Sequence, residues 1–259
     1  MAMEGEGQEE EQQGEREILL PNCTIVTHCV LKNDVTRFTL CFENDDDPYK
    51  ETVGELINQR DDDGKSPLDI AASLGRLEMT KELIARGADV NSVTGKGFCA
   101  LHYAASWGCV NILKALIGQN ANLQQRNIHN ERPRETALRY NQTECVDFLD
   151  WAEAKVALQE TIRTTLETLQ DPEKVQGRFT KEDKSILQNT CKEKNEWVES
   201  TPDATTQDFI TQKATLEEVI GPILLKLTEP RIPRKARKKV NNLPPAYELC
   251  QHQTWQEIA

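Results

Sequence analysis

Residues 64–91 read GKSPLDIAASLGRLEMTKELIARGADVN, and residues 97–124 read GFCALHYAASWGCVNILKALIGQNANLQ. The two lines superpose at an offset of 33, with Gly64 on Gly97, Leu68 on Leu101, Ala71 on Ala104, Gly75 on Gly108, Leu83 on Leu116 and Ala88 on Ala121. A fixed period of this length marks an array of stacked units.

Each part of the unit has a mechanical reason. Gly64 and Gly97 stand where a hairpin-like loop turns back, which favours a residue that tolerates positive φ. Ser66 then caps a helix, and Pro67 fits its first position, where a missing N–H costs nothing. The small pairs Ala71/Ala72 and Ala104/Ala105 let a second helix lie close, and Gly75 or Gly108 ends the first helix in a tight turn. Leu77, Leu83 and Ile84, like Ile112, Leu116 and Ile117, supply an apolar face at helical spacing. One unit cannot bury that face alone; a stack can, and it leaves one side free for partners.

The strings SPLDIAASLG and ELIARGADVN, with ALHYAASWG in the second copy, resemble the ankyrin repeat. Two weaker copies flank the good pair. Asn130 to Leu149 keeps Ala137, Val146 and Leu149 but has Asn141 for the turn glycine, and Val30 to Phe42 matches Ala72 to Ile84 at an offset of 42. The longer offset predicts an acidic loop from Glu43 to Gln59. Degenerate ends are usual in capping repeats.

Beyond the repeats, Trp151 to Leu169 reads as one helix with Val156, Leu158, Ile162, Leu166 and Leu169 inward, broken at Asp171-Pro172. Thr180 with Asp183 opens a second helix carrying Ile186, Leu187, Trp197 and Val198, and Thr205 to Leu227 gives a third. The strings GRFTKEDKSILQNTCKEKNEWVES and DFITQKATLEEVIGPILLKL resemble the C-terminal helical lid of DnaK-type heat-shock chaperones, closing on a G-P-I break. The resemblance covers roughly residues 157–227 and implies the lid fold. It does not carry chaperone activity over, because ankyrin repeats stand where the nucleotide-binding domain and peptide-holding sandwich would be.

The expected fold class is therefore all-α. It is an ankyrin solenoid over residues 18–150, with units near 24–60, 61–93, 94–126 and 127–150, then a small helical bundle over 151–228. Disordered tails are expected at 1–17 and 229–259; the first holds seven glutamates in seventeen residues and too little apolar surface to offset its ordering entropy.

Composition narrows the function. A net charge of -12 disfavours nucleic acid as the main partner, and no run approaches the roughly 18 apolar residues of a membrane span. A cytoplasmic protein with reduced thiols is expected, with nuclear entry or a cytoskeletal location left open, and no cofactor. The eight cysteines form no C-x-x-C pair and have no histidine at zinc spacing, and the motifs G-x-x-x-x-G-K-[ST], H-E-x-x-H and G-x-S-x-G are absent. His102 occupies the ankyrin position that ties a helix start to its loop.

Binding remains. The ankyrin resemblance places partners on the loop tips and on the exposed side of each first helix, here Asp62, Asp63, Lys65, Ile70 and Leu74, then Phe98, Tyr103, Ser106 and Trp107, then Arg139 and Tyr140. Leu74, Trp107 and Tyr140 share one repeat position and predict a bulky apolar stripe; packing of these rings on their own loops is the alternative. In the C-terminal tail, Arg231, Arg234, Lys235, Arg237, Lys238 and Lys239 form a basic segment, suited to an acidic surface or an import receptor, or simply a solvated linker. Pro244, Pro245 and Tyr247 spell the P-P-x-Y ligand pattern of WW domains. Two function classes follow: a non-enzymatic adaptor binding a protein partner through its repeats, or a chaperone accessory acting through the lid-like bundle on a client or on a DnaK-type chaperone.

Overall fold

The computed structural model describes residues 18–228, so the acidic tail, the basic segment Arg231–Lys239 and the motif at Pro244, Pro245 and Tyr247 lie outside the described residues. Helices, joined by turns and loops, are the regular elements of the described residues, with no strand among them. The chain divides into two compact units, one ending at Glu153 and the other beginning at Ala154.

The first unit is a stack of helix pairs: α1 (Ile25–Lys32) with α2 (Val35–Glu43), α4 (Pro67–Ser73) with α5 (Leu77–Ala85), α6 (Ala100–Ser106) with α7 (Val110–Ile117), and α8 (Pro133–Arg139) with the start of α9 (Thr143–Gln170). The turn inside each pair needs one left-handed residue, supplied by Asn33 (φ 59°), Gly75 (71°), Gly108 (73°) and Asn141 (57°). Asparagine is the side chain that best tolerates this conformation, so the weak outer copies keep the turn without the glycine. Hairpin-like loops lead into the pairs, closed by Asp61 N–H to Lys65 O (2.9 Å), Thr94 N–H to Phe98 O (2.8 Å) and Asn127 N–H to Glu131 O (3.0 Å).

The apolar seam runs through the stack. Leu68 and Leu101 are each 1% exposed, and Ala71, Ala72, Ala104 and Ala105 are fully buried where neighbouring helices meet. A side-chain ladder ties successive units on the loop side: the Asp89 N–H donates to Asn58 Oδ1 and the Asn122 N–H to Asn91 Oδ1, both at 2.8 Å. The stack has a marked end. Where the second and third units place Leu68 with Ile84 and Leu101 with Ile117 in or against the core, the fourth places Arg134 and Asp150. These pair through two contacts, Nε to Oδ1 and Nη2 to Oδ2, the latter at 2.9 Å.

The segment Glu43–Gln59 is not a plain loop. It contains the one-turn helix α3 (Val53–Leu56) and sends Val53 and Ile57, spaced one helical turn apart, into the core.

In the second unit, α9 continues to Gln170, followed by α10 (Pro172–Val175), α11 (Lys181–Ser200) and α12 (Thr206–Leu225). Thr180 with Asp183 and Thr205 with Asp208 form reciprocal capping boxes at the starts of α11 and α12. Those two helices pack through Trp197 against Phe209 (ring centroids 5.4 Å apart) and through Lys226 to Asp183 at 2.8 Å. Three expectations are corrected here. Val156 points outward at 43% exposure while Thr165 is buried, its hydroxyl bonded back to the Thr161 carbonyl at 2.7 Å. Ile186 and Val219 also face solvent. The break that the resemblance puts at Gly221-Pro222 does not form: the helix, read from the sequence as Thr205 to Leu227, runs through Pro222 to Leu225, where the proline costs one backbone bond in the last turns.

Candidate partner-binding face

Leu74, Trp107 and Tyr140 are each the C-cap of the first helix in their pair, one residue before the left-handed turn. That place throws the side chain out of the stack, and the three are 47%, 67% and 52% exposed. With Lys65, Phe98 and Tyr103 they line one groove of about 750 Å³, to which Ser73, Ser106 and Gln142 also contribute. Asp62 and Asp63 sit exposed at the hairpin tip beside it, and Arg139 flanks it; none of these three is in the lining. Ile70 departs from expectation. It is 8% exposed and belongs to the core, whereas the longer Tyr103 at the same repeat position reaches the groove.

The rings are supported from beneath and beside. Phe98 stacks on Tyr103 with centroids 5.8 Å apart, Lys65 Nζ lies 5.9 Å from the Tyr103 ring, and the Arg139 guanidinium lies 5.1 Å from the Tyr140 ring. Each cation has its own acid: Lys65 pairs with Asp63 at 3.6 Å and Arg139 with Glu131 at 3.4 Å. Burial pushes the Tyr103 phenol up to about 12, aided by the negative charge of Asp69, Asp61 and Asp63, so the acidic field reaches the groove wall.

Under the groove, one position of each unit caps its own helix. The carboxylate of Asp69 accepts from Ser66 N–H at 2.9 Å, His102 Nδ1 from Cys99 N–H at 3.3 Å, and Glu135 Oε2 from Arg132 N–H at 2.7 Å. His102 also bridges to the next unit, Nε2 lying 3.0 Å from the Glu131 carbonyl. That arrangement assigns the neutral tautomer with the proton on Nε2, in keeping with an imidazole pKa lowered by burial. Cys99 Sγ lies 3.1 Å from His102 Nδ1, but burial raises the thiol to about 11. This is the opposite of an activated thiolate–imidazolium pair. Asp69 has no such bridge: one carboxylate oxygen is buried without a partner, and desolvation raises its pKa to about 6.

Sequence reading missed Ser73, Gln142 and Asp69. Ser73 repeats as Ser106 at the same offset and was legible by period alone. Gln142 aligns with Arg76 and Cys109 and has no periodic signal; it enters the groove because Gly108 leaves room, its Oε1 lying only 2.5 Å from where a β-carbon would stand. Among the described residues no cluster of histidine, cysteine, aspartate and glutamate could hold a metal ion, no cysteine is in a disulfide, and no helix is long and apolar enough to cross a membrane.

A family model described as ankyrin repeats (3 copies) matches residues 21–127. The chain is similar to ankyrin repeat domain-containing protein 45 of Danio rerio, 44% identical over 147 residues, covering 56% of this chain and 66% of that protein. It is similar to the protein of the same name from Homo sapiens, 35% identical over 200 residues (77% and 75% of the two chains), and from Mus musculus, 37% over 227 residues (87% and 88%).

Proposed function

Since this chain belongs to the ankyrin repeat domain-containing protein 45 family, we propose that it is a non-enzymatic adaptor whose stack, residues 18–150, holds a protein partner on the face centred on Trp107 and Tyr140. One observation carries this: three bulky side chains at one repeat position are left exposed along a single groove. Few residues supply most binding energy, and tryptophan and tyrosine are favoured anchors. The Asp62–Asp63 tip favours a basic stretch in the partner. The cytoplasm is the proposed compartment, and the C-terminal basic segment and P-P-x-Y motif are proposed as secondary contacts to an acidic surface or a WW domain.

The experiment is a titration of a captured partner against the full-length protein and Trp107→Ala. The substitution should weaken binding by about 2 kcal/mol or more while the thermal melt is unchanged, because the ring is exposed. Unchanged affinity would remove this site. A second reading, a chaperone accessory acting through the bundle of residues 151–228, is favoured by exposed Ile186, Ile210 and Val219 on α11 and α12. Under that reading, Ile186→Ser with Val219→Ser in the full chain would abolish suppression of client aggregation while Trp107→Ala would not.

A further inference from the structure

The small polar side chains of the groove are turned back onto its own backbone. Ser73 Oγ donates to the Ile70 carbonyl at 2.8 Å, Ser106 Oγ to the Tyr103 carbonyl at 2.9 Å, and Gln142 Nε2 to the Ser106 carbonyl at 3.3 Å. Ring faces are left for a visitor, with more donors than acceptors among them: the Lys65 ammonium, the Trp107 indole N–H and the Tyr140 hydroxyl against the Gln142 amide oxygen. The Trp107 indole N–H has no acceptor among the described residues on a side chain 67% exposed. The Tyr140 hydroxyl accepts from Arg139 Nη2 at 3.4 Å and keeps its own proton to donate.

These features select a backbone conformation. A strand brings N–H groups that need acceptors, and a helix spends its carbonyls on itself. A polyproline II segment has no internal hydrogen bonds, so its carbonyls are open to donors, and each proline brings no N–H. Its apolar rings lie well on aromatic side chains.

The period agrees. α4, α6 and α8 are successive neighbours, and the axes of packed helices lie about 8–10 Å apart. Three residues of polyproline II advance about 9 Å. Side chains three apart on such a segment therefore meet Leu74, Trp107 and Tyr140 in turn. Charge sets the flank: Asp62 and Asp63 are exposed at the hairpin tip of the unit that carries Leu74, where Asp63 pairs with the groove-lining Lys65 at 3.6 Å.

We propose that the groove binds a proline-rich partner segment in the polyproline II conformation, with apolar residues three apart and an arginine or lysine at the end that meets Asp62 and Asp63. This rests on the partner-binding reading above. Fluorescence anisotropy with the full-length protein tests it. The probe is a labelled peptide of about twelve residues, with proline at every third position and a pair of arginines at one end. Helix-forming and strand-forming peptides of equal length and charge are the controls.

The proline peptide should bind at least about tenfold more tightly than either control and lose roughly tenfold or more with Trp107→Ala. Asp62→Lys with Asp63→Lys should weaken it by about tenfold and restore binding to a glutamate-flanked version. A control peptide that binds as tightly, and still needs Trp107, would overturn the polyproline assignment and leave the partner-binding face standing. If none of the three shows Trp107-dependent binding, both fall. Self-association of the protein that is abolished by Pro244→Ala with Pro245→Ala would give the groove to a second copy and overturn the assignment to a foreign partner.

Discussion

Asp69→Asn should stabilise this protein at neutral pH and leave its stability in acid unchanged. The Asp69 carboxyl is 1% exposed, accepts one hydrogen bond from Ser66 N–H at 2.9 Å and has a second oxygen without a partner. The nearest cation, Arg60, is 3.9 Å away and partly solvated, too far to offset the lost hydration. Desolvation therefore dominates and lifts the carboxyl from 3.8 to about 6. A carboxyl whose folded pKa is raised favours folding most when protonated. Its contribution is whole below about pH 4 and is lost as pH rises through about 6. At about 1.36 kcal/mol for each tenfold in acidity, the span is worth about 3 kcal/mol. Asparagine keeps the acceptor for Ser66 N–H and carries no charge to desolvate. Urea unfolding of both proteins at pH 4, 6 and 7.5 measures the difference. The gain should be near zero at pH 4 and approach about 3 kcal/mol at pH 7.5. Carboxylates held low by partners, such as Glu135 beside Arg132 and Asp183 beside Lys226, lose their contribution as pH falls, but equally in both proteins, so they cancel. Parallel pH profiles, or a less stable asparagine variant at pH 7.5, would refute the reasoning.

Other substitutions probe the frame. Leu101→Ala deletes a side chain 1% exposed in the middle of the seam and should cost about 2 to 5 kcal/mol; a melt equal to wild type would place that face wrongly. Asn141→Ala forces a β-carbon without a compensating polar group into the left-handed region at φ 57° and should cost roughly 1 kcal/mol, whereas Asn141→Gly should be neutral or better, as denaturant midpoints would report. Arg134→Leu with Asp150→Ile restores the apolar pair of the inner units at the last pair of the stack, and sedimentation should then show more self-association than the wild type does.

Periodicity made most of the stack readable, because turn residues and small helix-contact residues are dictated by backbone geometry. Asn141 was readable as standing in place of the turn glycine, whereas Asn33 was not picked out; both take the same left-handed conformation. The exposed stripe of Leu74, Trp107 and Tyr140 was readable for the same reason, since a C-cap side chain is placed by the turn that follows it. Side-chain reach was not legible: Ile70 and Tyr103 share a position, yet one is core and the other lines the groove. The orientation of Val156 was misread: sequence reading puts it on the face of Leu158, but residues two apart on a helix lie on opposite sides, and α9 buries Leu158, Ile162 and Thr165 and turns Val156 outward. The unpartnered oxygen of Asp69 depends on what the next unit offers across the gap, and local sequence does not carry that.

The Arg134–Asp150 pair has a consequence for how such an array could lengthen. A further copy appended after Asp150 would lay greasy surface on two charges and strip them of water. A copy spliced in between the second and third pairs would meet leucine, isoleucine and alanine on both sides. Growth of this molecule by duplication is thus confined to its interior, and the two terminal charges act as a full stop that any longer relative must carry along at its own last pair.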